Sequence, residues 1–409
     1  MSKLEQLIQE LCPNGVEYKK LGEIGTISRG GNFQKKDYVN EGFPCIHYGQ
    51  IYTQYGLFTD KTISFINNEK AKKQKLAVKN DIIMAVTSEN VDDICKCVAW
   101  LGEDNVAISG HTAIIHHTIN PKYLVYFFNS SQFYKQKVKL AHGTKVMEVT
   151  PDKLSNITLP VPPIEVQNEI VRILDNFTEL TAELTAELTA RKKQYEYYRD
   201  KLLHLDGKRI TIQELFNTRN GFTPSKDNPE FWEDGNLPWF KLDDINNKGR
   251  VLSDSYLYIT PKALKKSGLF PENSIIISTS ATIGEYALIT VPFLCNQRFT
   301  CMTVKPTYIE QVDIKYLMHY CPMLSKYCKE HLNQGNFASV DMKQFMKFEF
   351  VIPPLEEQKR IVEILDHFDT LCNDISNGLP AEIEARQKQY EYYRDKLLTF
   401  KELQSVREE

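Results

Sequence analysis

The sequence predicts an α+β protein: two globular modules of α/β type separated by two long antiparallel coiled-coil helices, with a pseudo-two-fold internal repeat. Three observations lead there. A thirteen-residue block occurs twice almost unchanged, an apolar seam of helical period runs through each copy, and a strand-rich segment precedes each copy.

The repeat sets the frame. Residues 191–203 read RKKQYEYYRDKLL and residues 386–398 read RQKQYEYYRDKLL, identical at twelve of thirteen positions and 195 residues apart. Upstream, VPPIEVQNEIVRILDNFTEL at 161–180 has its mate IPPLEEQKRIVEILDHFDTL at 352–371, 191 residues on. The offsets differ, so the second copy carries four extra residues between its blocks. The expected segments are a first module over 1–155, a first helical spacer over 156–205, a second module over 206–348 and a second helical region over 349–409.

Each helical copy starts after a Pro-Pro pair. In the first, Ile170, Ile173, Phe177, Leu180, Leu184 and Leu188 lead to Tyr195, Tyr198, Leu202 and Leu205. In the second, Ile361, Ile364, Phe368, Leu371 and Ile375 lead through Leu379 and Ile383 to Tyr390, Tyr393, Leu397 and Phe400. Steps of three and four are a coiled-coil seam. Consecutive four-steps in the middle, made by TAELTAEL at 181–188 in the first copy, read as stutters. Asn377-Gly378-Leu379-Pro380 is expected to break or kink the second copy. From Pro163 to Leu205 the first helix would reach ~65 Å at 1.5 Å per residue, the length of a strut. Two such seams in one chain pair most simply with each other, antiparallel.

The two globular segments correspond weakly. Asn80-Asp81-Ile82-Ile83-Met84 matches Asn273-Ser274-Ile275-Ile276-Ile277, Phe43-Pro44 matches Leu237-Pro238, and Ser28-Arg29-Gly30 resembles Thr218-Arg219-Asn220-Gly221. One scaffold with two sets of loops suits two modules that recognise different targets.

Composition is that of an ordinary globular chain, with 42% apolar and 25% charged residues, and the net charge is −3. The total hides a division. The first module has 19 Lys+Arg against 16 Asp+Glu and the second 17 against 15, whereas the helical regions have 6 against 8 and 8 against 14. Lys70, Lys72, Lys73, Lys75 and Lys79 form one basic cluster; Lys135, Lys137, Lys139 and Lys145 form another beside Tyr134 and His142. Such modules suit phosphate contact with base readout, while any single cluster is more often a solvated face. Nine scattered cysteines without a CxxC pair imply reduced thiols, a cytoplasmic location and no structural zinc. No membrane span or signal-peptide core is expected.

Catalytic patterns are absent from the sequence. There is no Walker A, GxGxxG or HExxH motif and no Asn-Pro-Pro-aromatic methyltransferase motif. Glu17-Tyr18-Lys19 lacks the Pro-Asp of a nuclease site, and His116-His117, as neighbours on a strand, face opposite sides. A non-catalytic binding subunit is the expected class.

The order of parts resembles the specificity (S) subunit of type I restriction–modification systems. It runs module, PPxxxQxxIxxxLDxF with a TAEL repeat, RxKQYEYYRDKLL, second module, second helical copy. The opening LIQELCPNGVEYKKLGEI, the SATIG run at Ser280–Gly284 and Asn296-Gln297 fit the same family. The resemblance covers essentially the whole chain. It implies two target recognition domains on a helical pair, and a bipartite double-stranded DNA site with one half-site per domain. Two methyltransferase subunits would dock on it, and restriction–translocase subunits would join that core. S-adenosylmethionine, ATP and Mg²⁺ would belong to those partners, with no cofactor or metal in this chain.

Candidate DNA-binding residues are Arg29, Lys35, Lys36, Lys72, Lys73 and Lys75 in the first module. In the second they are Arg219, Lys226, Lys241, Ser280, Thr282, Asn296, Gln297 and Arg298. Tyr197 and Tyr392, off the seam, are the candidates for partner docking; Tyr195 and Tyr198 are expected to pack inside it. The competing reading is a structural tether, two protein-binding modules on a coiled coil without DNA affinity. A third is a fused nuclease or methyltransferase.

Overall fold

The computed structural model describes residues 2–204, 207–333, 338–373 and 378–403. The chain forms two compact units, Met1–Thr185 with Glu382–Glu409, and Ala186–Ala381. Each joins one globular module to portions of both helical copies.

The modules share a topology. In the first, a five-stranded sheet is ordered Gly25–Arg29, Thr112–His117, Ile82–Ala85, Cys97–Trp100, Phe58–Thr59. In the second the order is Phe216–Asn220, Phe299–Val304, Ser274–Ser278, Tyr286–Ile289, Val251–Leu252. A smaller sheet in each holds a parallel pair, Phe43–Ile46 with Val106–Ile108 and Leu237–Phe240 with Leu294–Cys295. The central strands Ile82–Ala85 and Ser274–Ser278 are buried throughout, as expected of continuous Ile-rich runs between neighbours on both sides. Asn80 and Asn273 precede them at φ 73° and 56°, a left-handed turn position that asparagine tolerates. The matched Asn and Phe/Leu-Pro anchors thus sit at equivalent places.

The arginine anchor does not. Gly30 and Gly221 are equivalent: their amides donate to Thr112 O and Phe299 O, both at 2.9 Å. A Cβ at either would fall 2.1 Å from Ser109 O or 2.2 Å from Cys295 O, so both stay glycine. Counting back, Arg29 pairs with Ala113, and its counterpart Asn220 pairs with Thr300. Arg219 lies one residue earlier and therefore on the opposite face.

The helix Ile164–Leu203 is continuous over 40 residues. The second copy is described as two helices, Leu355–Asn373 and Leu379–Leu397, and of the expected breaking residues Gly378 lies in a bend just before the second helix; Asn377, like the expected seam residues Ile375 and Leu205, lies outside the described residues. In the first unit Phe177 stacks on Tyr393 and Tyr390 meets Tyr126 edge-on. In the second unit Tyr195 and Tyr198 lie against Phe368, while Cys372 sits in the field of Lys192 and Arg191. The segments run antiparallel within each unit. One seam assignment changes: Leu180 is 37% exposed and Thr181 is half-buried. Half-burial then recurs at Phe177, Thr181, Leu184, Leu188, Arg191 and Tyr195, an unbroken 4-3-4-3-4 pattern. Thr181, small enough for the seam, takes the place expected of Leu180 while Thr185 stays exposed, so no consecutive four-steps occur between Phe177 and Tyr195.

The PPxxxQ motif has a mechanical reason. Gln167, buried, donates from Nε2 to Pro162 O at 2.7 Å and accepts the Asn120 amide at 2.9 Å. Gln358 repeats this with Pro353 O and the Asp313 amide, both at 2.8 Å. Each glutamine clamps the start of a spacer helix to the start of a module helix, Pro121–Phe128 or Ile314–His319.

Candidate nucleic-acid interface

The second module carries two adjoining clefts. The larger, about 650 Å³, is lined by Trp232 and Trp239 in edge contact, with Lys226, Lys241, Asn296, Gln297 and Arg298 around them. The smaller, about 180 Å³, shares Lys241, Asn296 and Arg298 and adds Ser280 and Thr282. Seven of the eight sequence candidates in this module therefore meet at one place. Local structure explains it. Lys241 precedes the helix Leu242–Lys248, its amide capped by Asp244 Oδ2 at 2.8 Å. Asp244 is fully buried and also accepts the Tyr256 amide at 2.8 Å. Asn296–Arg298 form the turn between Leu294–Cys295 and Phe299–Val304, with Asn296 Oδ1 accepting the Arg298 amide at 2.9 Å. Ser280 and Thr282 sit on the central hairpin, where Ala281 at φ 62° makes the turn.

Charge around the cleft is unevenly committed. Lys241 Nζ is paired with Asp243 at 2.5 Å, and Gln297 accepts from the Thr223 hydroxyl. The exposed side chains of Arg298 and Lys226 have no ion pair among the described residues. The cleft thus offers aromatic surface, amide groups and two uncommitted cations, a combination suited to base edges and phosphate.

Arg219 stands apart. Its guanidinium donates to Ser267 O at 2.5 Å and Gly268 O at 3.2 Å and covers the Phe270 ring at 4.0 Å. It braces a loop, and the reason is its face on the strand.

In the first module the structure brings two lysine segments together. Gln74 Oε1 accepts the Asn32 amide at 2.8 Å, and Lys70 Nζ reaches Asp37 at 3.5 Å. Lys35 and Lys36, in the turn Lys35–Asp37, therefore lie on the segment beside Lys72, Lys73 and Lys75, and all five are exposed. Only Lys72 has an ion-pair partner, Glu69 at 2.6 Å, among the described residues. Arg29 is occupied: Nε donates to Gly110 O at 2.9 Å and the guanidinium pairs with Glu148 at 2.8 Å.

The second lysine cluster is not a uniform face. Lys137 is 7% exposed, with Nζ donating to Asp92 O and Ile94 O at 2.8 and 2.9 Å, and burial pulls its pKa down. His116 and His117 take separate environments: His116 Nδ1 meets Asp81 at 2.6 Å, while burial brings His117 down to about 4. All nine cysteines are buried free thiols. No group of three or more His, Cys, Asp or Glu side chains among the described residues is arranged to hold a metal. No described helix is long and apolar enough to cross a membrane.

Tyr197 and Tyr392 are 62% and 61% exposed. Each leans edge-on against its seam neighbour, Tyr198 or Tyr393, beneath a lysine one turn on, Lys201 or Lys396. Tyr392 also lines a groove with Ser131, Lys388, Arg394 and Thr399. Sequence reading missed Trp232 and Trp239. Both indoles are anchored, to Ser225 O at 2.9 Å and Phe222 O at 3.0 Å, and two tryptophans among only three in the chain were the available signal.

The chain is similar to known proteins over nearly its whole length. The family model described as the type I restriction modification DNA specificity domain matches twice, over residues 13–191 and 206–385. The EcoR124I/EcoR124II specificity subunit of Escherichia coli is 41% identical over 99% of both chains. The EcoprrI specificity subunit of Escherichia coli is 48% identical over 200 residues, 47% of this chain and half the length of that relative. A structure described in work on complex assembly and conformational transition of the type I R-M system aligns at TM-score 0.61 and 17% identity, covering 95% of this chain and 98% of the other. The S subunit from M. genitalium aligns at TM-score 0.54 and 14% identity over 94% and 96%.

Proposed function

This chain belongs to the type I restriction–modification DNA specificity family, and from that premise we infer that it is the DNA sequence-specificity subunit of such a complex. Each module reads one half of a bipartite double-stranded DNA site. The helical copies receive two methyltransferase subunits, and restriction–translocase subunits join that core. The chain itself performs no covalent chemistry; S-adenosylmethionine, ATP and Mg²⁺ act in the partners, in the cytoplasm.

The observation that carries the reading is the same main-sheet topology built twice, with Asn296, Gln297 and Arg298 of the second module standing in the turn where the first has Ser109, Gly110 and His111. Duplicated scaffolds with divergent rims are what two half-sites of different sequence require. The Pro-Pro-Gln clamps support it by fixing each module to its spacer helix.

The test is a module exchange in the assembled methyltransferase. Replacing residues 1–155 by the first module of a relative should change one methylated half-site and preserve the other. A change in both halves, or in neither, overturns the one-module-one-half-site reading. Absence of any sequence-dependent DNA binding by the assembled complex would leave the tether as the better account.

A further inference from the structure

The modules align through their backbone hydrogen bonds where their sequences do not. Asn296 N donates to Phe240 O at 2.9 Å, as Ser109 N does to Ile46 O at 3.2 Å. Thr279 N donates to Arg298 O at 2.9 Å, as Val86 N does to His111 O at 3.0 Å. The amides of Lys241 and His47 are capped in the same way, by Asp244 and Gln50. Lys241, Leu242, Asn296, Gln297 and Arg298 therefore have the counterparts His47, Tyr48, Ser109, Gly110 and His111.

Most of these counterparts are already occupied. Ser109 is 1% exposed and its Oγ accepts the Tyr48 amide at 2.9 Å. Gly110 has no side chain, and its carbonyl accepts from Arg29. His47 is 8% exposed, and its Nδ1 accepts the Gly49 amide at 3.2 Å. Burial, with Lys35 and His111 nearby, lowers its pKa, so it serves as a neutral cap. His111 is different. It is exposed, its ring rests on Tyr48 with centroids 5.0 Å apart, and its ring nitrogens have no partner among the described residues. Tyr48 is itself held, its ring 4.5 Å from His47 and its amide bonded to Ser109. A flat ring with two unpartnered nitrogens on a fixed aromatic seat is preorganised to meet a base edge.

We propose that His111, seated on Tyr48, is the specificity-determining side chain of the first module, at the register position that Arg298 holds in the second. This rests on the DNA-specificity reading and names its reading residue. The nearby lysines supply phosphate contact, which orients DNA without reading its sequence. An imidazole presents two separated nitrogens on one flat ring, whereas guanidinium offers two parallel donors; the modules then prefer different base pairs at equivalent places.

The experiment uses the assembled methyltransferase. The wild-type site is mapped on plasmid DNA by its methylation. Duplexes carrying that site with single base-pair changes then serve as probes for His111→Ala, His111→Arg and Tyr48→Phe. Both His111 variants should change discrimination at one base pair of half-site one by roughly tenfold to a hundredfold. His111→Arg should change the preferred base there, and Tyr48→Phe, which keeps the ring and the amide, should keep both the wild-type preference and its discrimination. Half-site two discrimination serves as the internal control for folding and assembly. Unchanged preference in both His111 variants overturns the inference, as does an equal change at both half-sites. If the wild-type complex itself shows no sequence preference, the DNA-specificity reading fails first, and the two failures are told apart.

Discussion

Phe177 stacks face to face on Tyr393, ring centroids 5.5 Å apart and planes 22° off parallel. Their repeat mates, Phe368 and Tyr198, do the same at 5.8 Å and 23°. Each stack joins the first block of one copy to the second block of the other, so the near-identity of the YEYYRD block follows from having to fit the same partner twice. Tyr198→Ala and Tyr393→Ala should each cost about 1–2 kcal/mol, since both rings are only partly buried. The pairs belong to different units, so the losses should add within about 0.5 kcal/mol. Denaturant unfolding of the singles and the double measures this; a strongly non-additive double would refute the independence.

Asp366 accepts from Lys315 Nζ and His319 Nε2, both at 2.9 Å. In the first unit Asp175 takes Lys122 and the Tyr126 hydroxyl at 2.6 Å. The His319 hydrogen bond, with help from Lys315, holds Asp366 below the usual carboxylate range despite burial. A lowered carboxyl stabilises above its unfolded pKa of about 3.9, and that stability is lost as pH falls through the folded value. Asp366→Asn should cost about 1 kcal/mol at pH 7, discounted for partial exposure, and progressively less as pH falls below about 3.9. Thermal denaturation across that range decides it; an equal loss at both ends would remove the charge from the account.

The TAEL block holds the boundary between the units at Thr185–Ala186. Adding one TAEL after Leu188 lengthens the helix by ~6 Å and turns the residues beyond the insertion by ~40°. One base pair contributes ~3.4 Å and about a tenth of a turn. The inserted chain should recognise the same half-sites separated by one more base pair, and deletion should shorten the spacer. Methylation mapping tests it, and an unchanged spacer would mean that the helix is not the ruler.

Tyr197→Ala and Tyr392→Ala together should weaken capture of the two methyltransferase subunits while unfolding stays within about 0.5 kcal/mol of wild type, as expected of exposed positions. Recovery of the intact two-methyltransferase complex by size-exclusion chromatography at dilute concentration would show that the subunits dock elsewhere.

Lys72 and Lys73 should act without regard to sequence. Lys72→Ala with Lys73→Ala should lower DNA affinity of the assembled complex on every duplex alike, and should flatten the slope of log K against log salt by roughly one to two. An unchanged slope would take the cluster off the DNA.

The repeat, the helices and the second-module cleft were legible because each rests on local pattern. Asn296, Gln297 and Arg298 sit in one turn, so they arrive together. The two arginines misled because Arg29 and Arg219 look aligned in sequence, and a one-residue slip moves a strand residue to the other face. Leu180 misled because a leucine outranks a threonine as a seam residue until Thr181 is seen in the groove. His111 could not be read at all. Nothing local distinguishes it from His116 or His117, and only the ladder of backbone hydrogen bonds gives it the register position that Arg298 has in the other module.

The first unit is completed by residues that come 197 positions after Thr185, beginning at Glu382. Tyr390 and Leu398 join Tyr126, Ile170 and Leu174 in one core, and Val16 N donates to Lys401 O at 2.8 Å. On the ribosome this leaves the earliest-made module waiting. At ~5–20 residues per second its unfinished apolar flank stands open for about 10–40 s, while the later-made unit, contiguous in sequence, can close before it. The half of the protein that is synthesised first is thus the half that finishes folding last, and a chaperone met during translation would find its binding surface on Phe177 and its neighbours.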